Sequence, residues 1–305
     1  MKKIISVLII LITPVMIFAC DICGCGVGNN YIGILPEFQK HVFGIRYRTN
    51  SMLTHIGVGG ATTYLTTQEN YRITEFWGGW NINEKFRVMA SLPYSFNEKT
   101  NQGITETKNG IGDASVFGFY QLLNKRNSHG NSLLVQSLWL GAGVKLATGK
   151  YNPADHLATN ASLNLFQLGT GSYDFNIQAM YDIRLQDAGI NVTGGYKMNT
   201  ANKYDYQYGN RFNVNGQFYY KFRTRQQILI APNAGMQYEN SSVDRDGTIQ
   251  VASSGGNLLL GTIGLETAFK RISLGGNYQT PLSQNLAKGM AKAQDRWMIH
   301  VAIVL

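Results

Sequence analysis

The last segment of the chain, Asp295–Leu305, alternates with a period of two. Trp297, Ile299, Val301, Ile303 and Leu305 point one way, and Arg296, Met298, His300 and Ala302 lie between them. In an extended chain that spacing makes one face apolar throughout. Several earlier segments repeat the pattern. Nowhere after the N-terminal stretch does the chain approach the roughly eighteen consecutive apolar residues of a membrane-crossing helix. Alternation without such a run leaves one route through a bilayer, a sheet closed on itself. Composition agrees. Charged residues make up 15%, against about 25% in globular proteins. Glycine reaches 34 residues, Tyr 17 and Phe 14, yet the mean hydropathy is only −0.14. Apolar residues hidden on alternate positions, one face to lipid and one to water, reconcile these values.

The chain begins differently. Met1, Lys2 and Lys3 precede a mostly apolar run from Ile4 to Phe18, which Ala19 ends. That order predicts a secretory signal over residues 1–19, then a cysteine-containing segment over 20–40 and a barrel over 41–305. The exported part is roughly 285 residues, enough for one barrel or two ordinary domains. The net charge of +9 falls to +7 without Lys2 and Lys3. A solvated basic surface explains it; attraction to phosphorylated outer-leaflet lipid or an anion-favouring lumen are the functional alternatives.

Loop lengths test the barrel independently, because outer-membrane barrels have short periplasmic turns and long outer loops. Upward strands are expected near 41–50, 86–96, 132–147, 188–198, 226–238 and 271–280. Downward strands are expected near 70–81, 111–122, 173–184, 209–222, 256–269 and 296–305. The connections 82–85, 123–131, 185–187, 223–225 and 270 are then short. Those at 51–69, 97–110, 148–172, 199–208, 239–255 and 281–295 are long. The expected fold is therefore all-β, a single antiparallel transmembrane barrel of about 12 strands. Ala158–Leu168 could be a strand by composition, but counting it breaks the alternation, so it is assigned to an outer loop. Aromatic clusters at Tyr71, Trp77 and Trp80, at Phe117, Phe119 and Tyr120, and at Phe218, Tyr219, Tyr220 and Phe222 are candidates for two interfacial girdles.

Three phrases carry a family likeness: Ala90–Ser91–Leu92–Pro93–Tyr94–Ser95–Phe96, Gly110–Ile111–Gly112–Asp113–Ala114–Ser115, and Gly141–Ala142–Gly143–Val144–Lys145–Leu146–Ala147–Thr148–Gly149. With Gly169–Thr170–Gly171–Ser172 further on, the chain resembles the outer-membrane transporters of the phenol-degradation meta-pathway family over roughly residues 40–305. Ala147 stands where that family's pattern has proline. The last strand is similar to the C-terminal sorting strand of such barrels, except that Leu305 replaces the usual terminal aromatic residue. The resemblance implies passage of small, often apolar or aromatic molecules and supplies no catalytic residues. As partners it implies outer-membrane lipid and lipopolysaccharide, a small-molecule solute, and the barrel-assembly machinery; nothing points to nucleic acid. For Gly112 and Asp113 themselves, local turn chemistry at a strand start is the simpler reading.

Cys20, Cys23 and Cys25 are the chain's three cysteines. Ile17–Phe18–Ala19–Cys20 is an imperfect lipobox, so Cys20 could carry lipid. A local disulfide is the second reading. A soft-metal site is the third, with copper(I) a better fit than zinc because the segment lacks a fourth ligand and His41 is the nearest imidazole. Gly24 after Cys23 excludes a haem attachment. The cysteine phrase also resembles the start of Bacteroidetes barrels of this kind.

The leading functional expectation is a channel, not an enzyme, with no cofactor unless the cysteines take copper. A charge facing lipid at mid-depth costs about 2–4 kcal/mol, which makes Arg87, Lys145 and Arg211 candidate lumen residues, and its place on the last strand adds His300. The alternatives are a copper-handling protein anchored by its barrel and an outer-membrane lipid hydrolase. Outer-membrane phospholipases share the strand number, but His41, His55, His129, His156 and His300 sit in no recognised catalytic motif. The polar loop clusters 152–156 and 244–247 are explained by solvated loops.

Overall fold

A computed structural model describes residues 41–57, 60–129, 132–157 and 166–305. The signal segment, all three cysteines and most of Ala158–Leu168 lie outside the described residues, as do the side chains of His129 and His156. The strands longer than two residues are β1 (Val42–Thr54), β2 (Thr67–Asn81), β3 (Phe86–Asn101), β4 (Ile104–Ile111), β5 (Ser115–His129), β6 (Ser132–Lys145) and β7 (Asp174–Leu185). They continue as β8 (Ala188–Met198), β9 (Arg211–Tyr220), β10 (Leu229–Ser241), β11 (Gly256–Phe269), β12 (Ile272–Leu286) and β13 (Lys292–Val304). Apart from β4, which pairs with β3 alone, each pairs antiparallel with both wall neighbours, and β1 pairs with β13 from Val42↔Val304 onward, so the sheet closes on itself.

Thirteen strands fill twelve wall positions, because β4 and β5 share one. The outer half of β3 pairs with β4 (Tyr94↔Ile111) and its inner half with β5 (Ser91↔Ser115). Between them the wall is interrupted at Gly112–Ala114, where Leu168 of a later loop approaches. A Cβ on Gly110 would lie 2.9 Å from Leu168 Cδ1, and one on Gly112 would lie 3.2 Å from the Leu168 carbonyl oxygen.

Alternation fixes which residues meet lipid. On β13, Trp297, Ile299, Val301 and Ile303 are exposed and Arg296, Met298, His300 and Ala302 are buried. The aromatic clusters divide by the same rule, which corrects their reading as two girdles. Trp80, Tyr120, Phe218, Tyr220 and Phe222 face outward, whereas Tyr71, Trp77, Phe117, Phe119 and Tyr219 are buried inside. Residues an odd number apart on a strand cannot share a face.

Loop boundaries also shift. The expected loop 97–110 is a hairpin of β3 and β4 turning at Gln102 and Gly103, both with positive φ. The expected turn 123–131 is largely strand, and β12 and β13 take up much of 281–295. Where a hairpin leaves the membrane both faces are wet, so pairing persists while the apolar alternation that marks it stops.

Inside, the barrel is filled unevenly. Trp77, Met89, Phe117, Phe119, Trp139 and Met180 form an apolar cluster toward the short-turn end. Met52, Tyr71, Leu258, Leu260 and Leu286 form another near the long loops. Glycines on adjacent strands make room for the large rings. A Cβ on Gly141 would sit 2.4 Å from Phe119 Cδ1, and one on Gly143 would sit 2.5 Å from Phe117 Cδ1. Gly141→Val should therefore destabilise the barrel by about 1–3 kcal/mol through overpacking, read as a lower urea midpoint in lipid vesicles.

Candidate functional site

Between the two apolar clusters lies a cavity of about 790 Å³, part of it open to solvent. Its apolar side is Ile73, Pro93, Phe117 and Leu168; Ser91, Ser95, Asn176, Gln178 and Asn213 supply neutral polar groups. Its charged lining residues are Arg48, Lys145 and Lys197 with Glu75 and Asp113, and Asp174 lies against both lysines.

The lysines and the acids are paired. Lys145 Nζ lies 2.6 Å from Asp113 Oδ2 and 2.9 Å from Asp174 Oδ2. Lys197 Nζ reaches the same Asp174 oxygen at 3.0 Å. Across the cavity, Arg46 Nη2 meets Glu75 Oε2 at 2.6 Å. All of these side chains are largely withdrawn from solvent, where an unpaired charge would be costly.

The Asp113 cluster also anchors the loop that precedes β7. Asp113 Oδ1 accepts from the Gly149 N–H at 2.9 Å and Asp113 Oδ2 from the Thr170 N–H at 2.8 Å. Lys145 Nζ donates to Thr170 Oγ1 and to the Ser172 carbonyl, the latter at 3.0 Å. Asn97 Nδ2 donates to the Gln167 carbonyl at 3.2 Å, and Asn202 Nδ2 to that of Thr170 at 3.0 Å. Segment 166–172 is thus held against the inner wall, with Leu168 at the cavity. Gly149 and Gly169 allow the approach: a Cβ on either would lie 2.7 Å from the other's Cα. Three of the phrases that carried the family likeness, those ending at Ser115, Gly149 and Ser172, converge here. Asp113 serves more than its own turn, since it binds backbone from two distant segments.

Of the candidate lumen residues, Lys145 lines the cavity. Arg87, Arg211 and His300 are buried elsewhere along the inner wall. Arg87 lies over Gly79 and His300 over Gly275, while Arg211 pairs in register with Lys197. Sequence reasoning did not name Arg46, Glu75, Asp174 or Lys197 as site residues. All four are charged residues within strands, so the cost argument that selected Lys145 applies equally to them.

On β9–β12 the inner wall continues as amides. Asn215 Nδ2 donates to Gln237 Oε1 at 3.3 Å, and Gln279 Nε2 donates to Gln237 Oε1 at 2.9 Å and to Thr262 Oγ1 at 3.1 Å.

His55 follows β1 at the long-loop end. Burial and the nearby Lys99 hold its imidazole below the ordinary range. His41 stacks on Trp80 with centroids 4.0 Å apart. Among the described residues no three His, Cys, Asp or Glu side chains converge as a metal site.

No family model matches the chain. No curated protein matches it either. Among solved structures it is similar to an outer-membrane channel from Pseudomonas putida F1, with a TM-score of 0.63 at 13% identity over 92% of this chain and 100% of that one. It is also similar to the β domain of the Bordetella autotransporter BrkA, with a TM-score of 0.50 at 10% identity over 87% and 100% of the two chains. The fold is that of a bacterial outer-membrane β-barrel.

Proposed function

We propose that the protein is a passive outer-membrane channel for a small solute with an apolar or aromatic body. The observation that carries this reading is the internal cavity. Its lining offers the apolar surface of Phe117, Ile73, Pro93 and Leu168 beside amides and ion-paired lysines and acids. Such a site accepts an uncharged molecule with an apolar face and a few hydrogen-bonding groups, as small-molecule sites commonly do. Ion pairing of the lysines and acids cancels much of the field inside the cavity, so the surplus positive charge of the chain does not by itself argue for an anion pore.

Liposomes carrying the refolded protein should take up small aromatic alcohols faster than glucose. Phe117→Ala should reduce that preference about threefold or more, as expected for a lost aromatic contact of roughly 0.5–1.5 kcal/mol. Equal uptake of both solutes, or none above protein-free liposomes, would reject the proposal.

A further inference from the structure

The surplus positive charge is concentrated at one end of the barrel. At the short-turn end, Lys85, Lys125, Arg126 and Arg225 are exposed, as are Lys270 and Arg271 in the turn between β11 and β12. Among the described residues the exposed acid there is Glu84, and the half-exposed Asp187 lies 3.6 Å from the Arg223 guanidinium. The long-loop end is mixed. Arg72 lies 3.4 Å from Glu98, and Lys203, Arg245 and Lys292 each have an aspartate within three residues along the chain.

We infer that this basic rim binds the phosphate headgroups of anionic phospholipid in the inner leaflet of the outer membrane. This inference rests on the membrane orientation of the barrel and is independent of the solute. Two observations favour lipid over an acidic protein. The cations occupy the ends of four separate hairpins around the circumference, whereas a protein partner needs one contiguous face of about 800 Å². Each turn also places them beside an outward apolar side chain: Ile82 before Lys85, Leu122 before Lys125, Phe222 before Arg225, and Phe269 before Lys270. Lys270 Nζ lies 5.1 Å from the Phe269 ring centroid. An apolar residue in the acyl layer with a cation reaching to the interface is the arrangement of a snorkelling side chain.

The test measures lipid retained by the full chain in detergent, using native mass spectrometry with added phosphatidylglycerol or phosphatidylcholine. Wild-type protein should retain phosphatidylglycerol preferentially. The Lys125→Gln/Arg126→Gln/Lys270→Gln/Arg271→Gln variant should lose that preference, with affinity falling roughly fivefold for each cation removed. The smaller Lys270→Gln/Arg271→Gln variant should lose part of it, which keeps the test decisive if the fourfold variant folds poorly. Lys203→Gln/Arg245→Gln at the other end should behave as wild type. Equal retention of the two lipids by wild type would overturn the inference. So would equal losses from variants at both ends, or tighter binding of polyglutamate than of phosphatidylglycerol vesicles.

Discussion

Replacing Lys145 with methionine should destabilise the barrel by about 3–5 kcal/mol, because removing one partner of a buried pair leaves uncompensated charge. The ammonium lies between Asp113 at 2.6 Å and Asp174 at 2.9 Å. Asp174 keeps Lys197 at 3.0 Å, so the larger loss falls on Asp113, left with the backbone N–H groups of Gly149 and Thr170 and the Thr170 hydroxyl. Methionine also forfeits the bonds to Thr170 and Ser172 that hold segment 166–172 against the wall. Single-channel conductance should therefore rise along with the loss in urea resistance. Adding Asp113→Asn should restore part of the stability without restoring the loop's anchorage, so the conductance should stay high. Unchanged conductance in both variants would show that the loop is held by something other than these pairs.

Ile263→Arg should cost about 2–4 kcal/mol for a different reason, the price of a guanidinium at the bilayer midplane. Ile263 lies near the centre of β11, and its side chain is 62% exposed in the isolated chain, which in a bilayer means exposed to acyl chains. Leu265 two residues on and Met236 on the neighbouring strand extend the same apolar surface. Thr262, one position away, is buried and bonded to Gln279 at 3.1 Å. Equilibrium unfolding of Ile263→Arg from phospholipid vesicles measures the cost, with Ile263→Leu as the near-neutral control. A loss below 1 kcal/mol would mean that β11 does not cross the lipid at that depth.

Much of the wall was legible because the bilayer imposes its own pattern. Strands β7, β8 and β11 lie within a residue of their expected bounds, since each connects regions where the alternation stops abruptly. The hairpins that leave the membrane were not legible, because the β3–β4 extension carries polar residues on both faces. Aromatic clusters misled for a related reason. Phe117 and Phe119 share a face with each other but not with Tyr120, and the glycines that receive their rings belong to another strand. The cavity was legible only in part. Lys145 stood out as a charge within a strand, yet Asp113 read as plain turn chemistry, because the segments it binds begin at Gly149 and Thr170.

Period-two hydrophobicity, loop-length alternation and scarce charge determined by themselves that this chain forms a lipid-facing barrel. They act locally, through the contrast between oil and water on either side of a strand. Only closure of the sheet decided which interior residues meet. Register brings Asp174 opposite Lys145, and the glycine contact between Gly149 and Gly169 lets a distant loop reach Asp113. Coulomb pairing and close backbone approach depend on distances through space, which no pattern along the chain encodes.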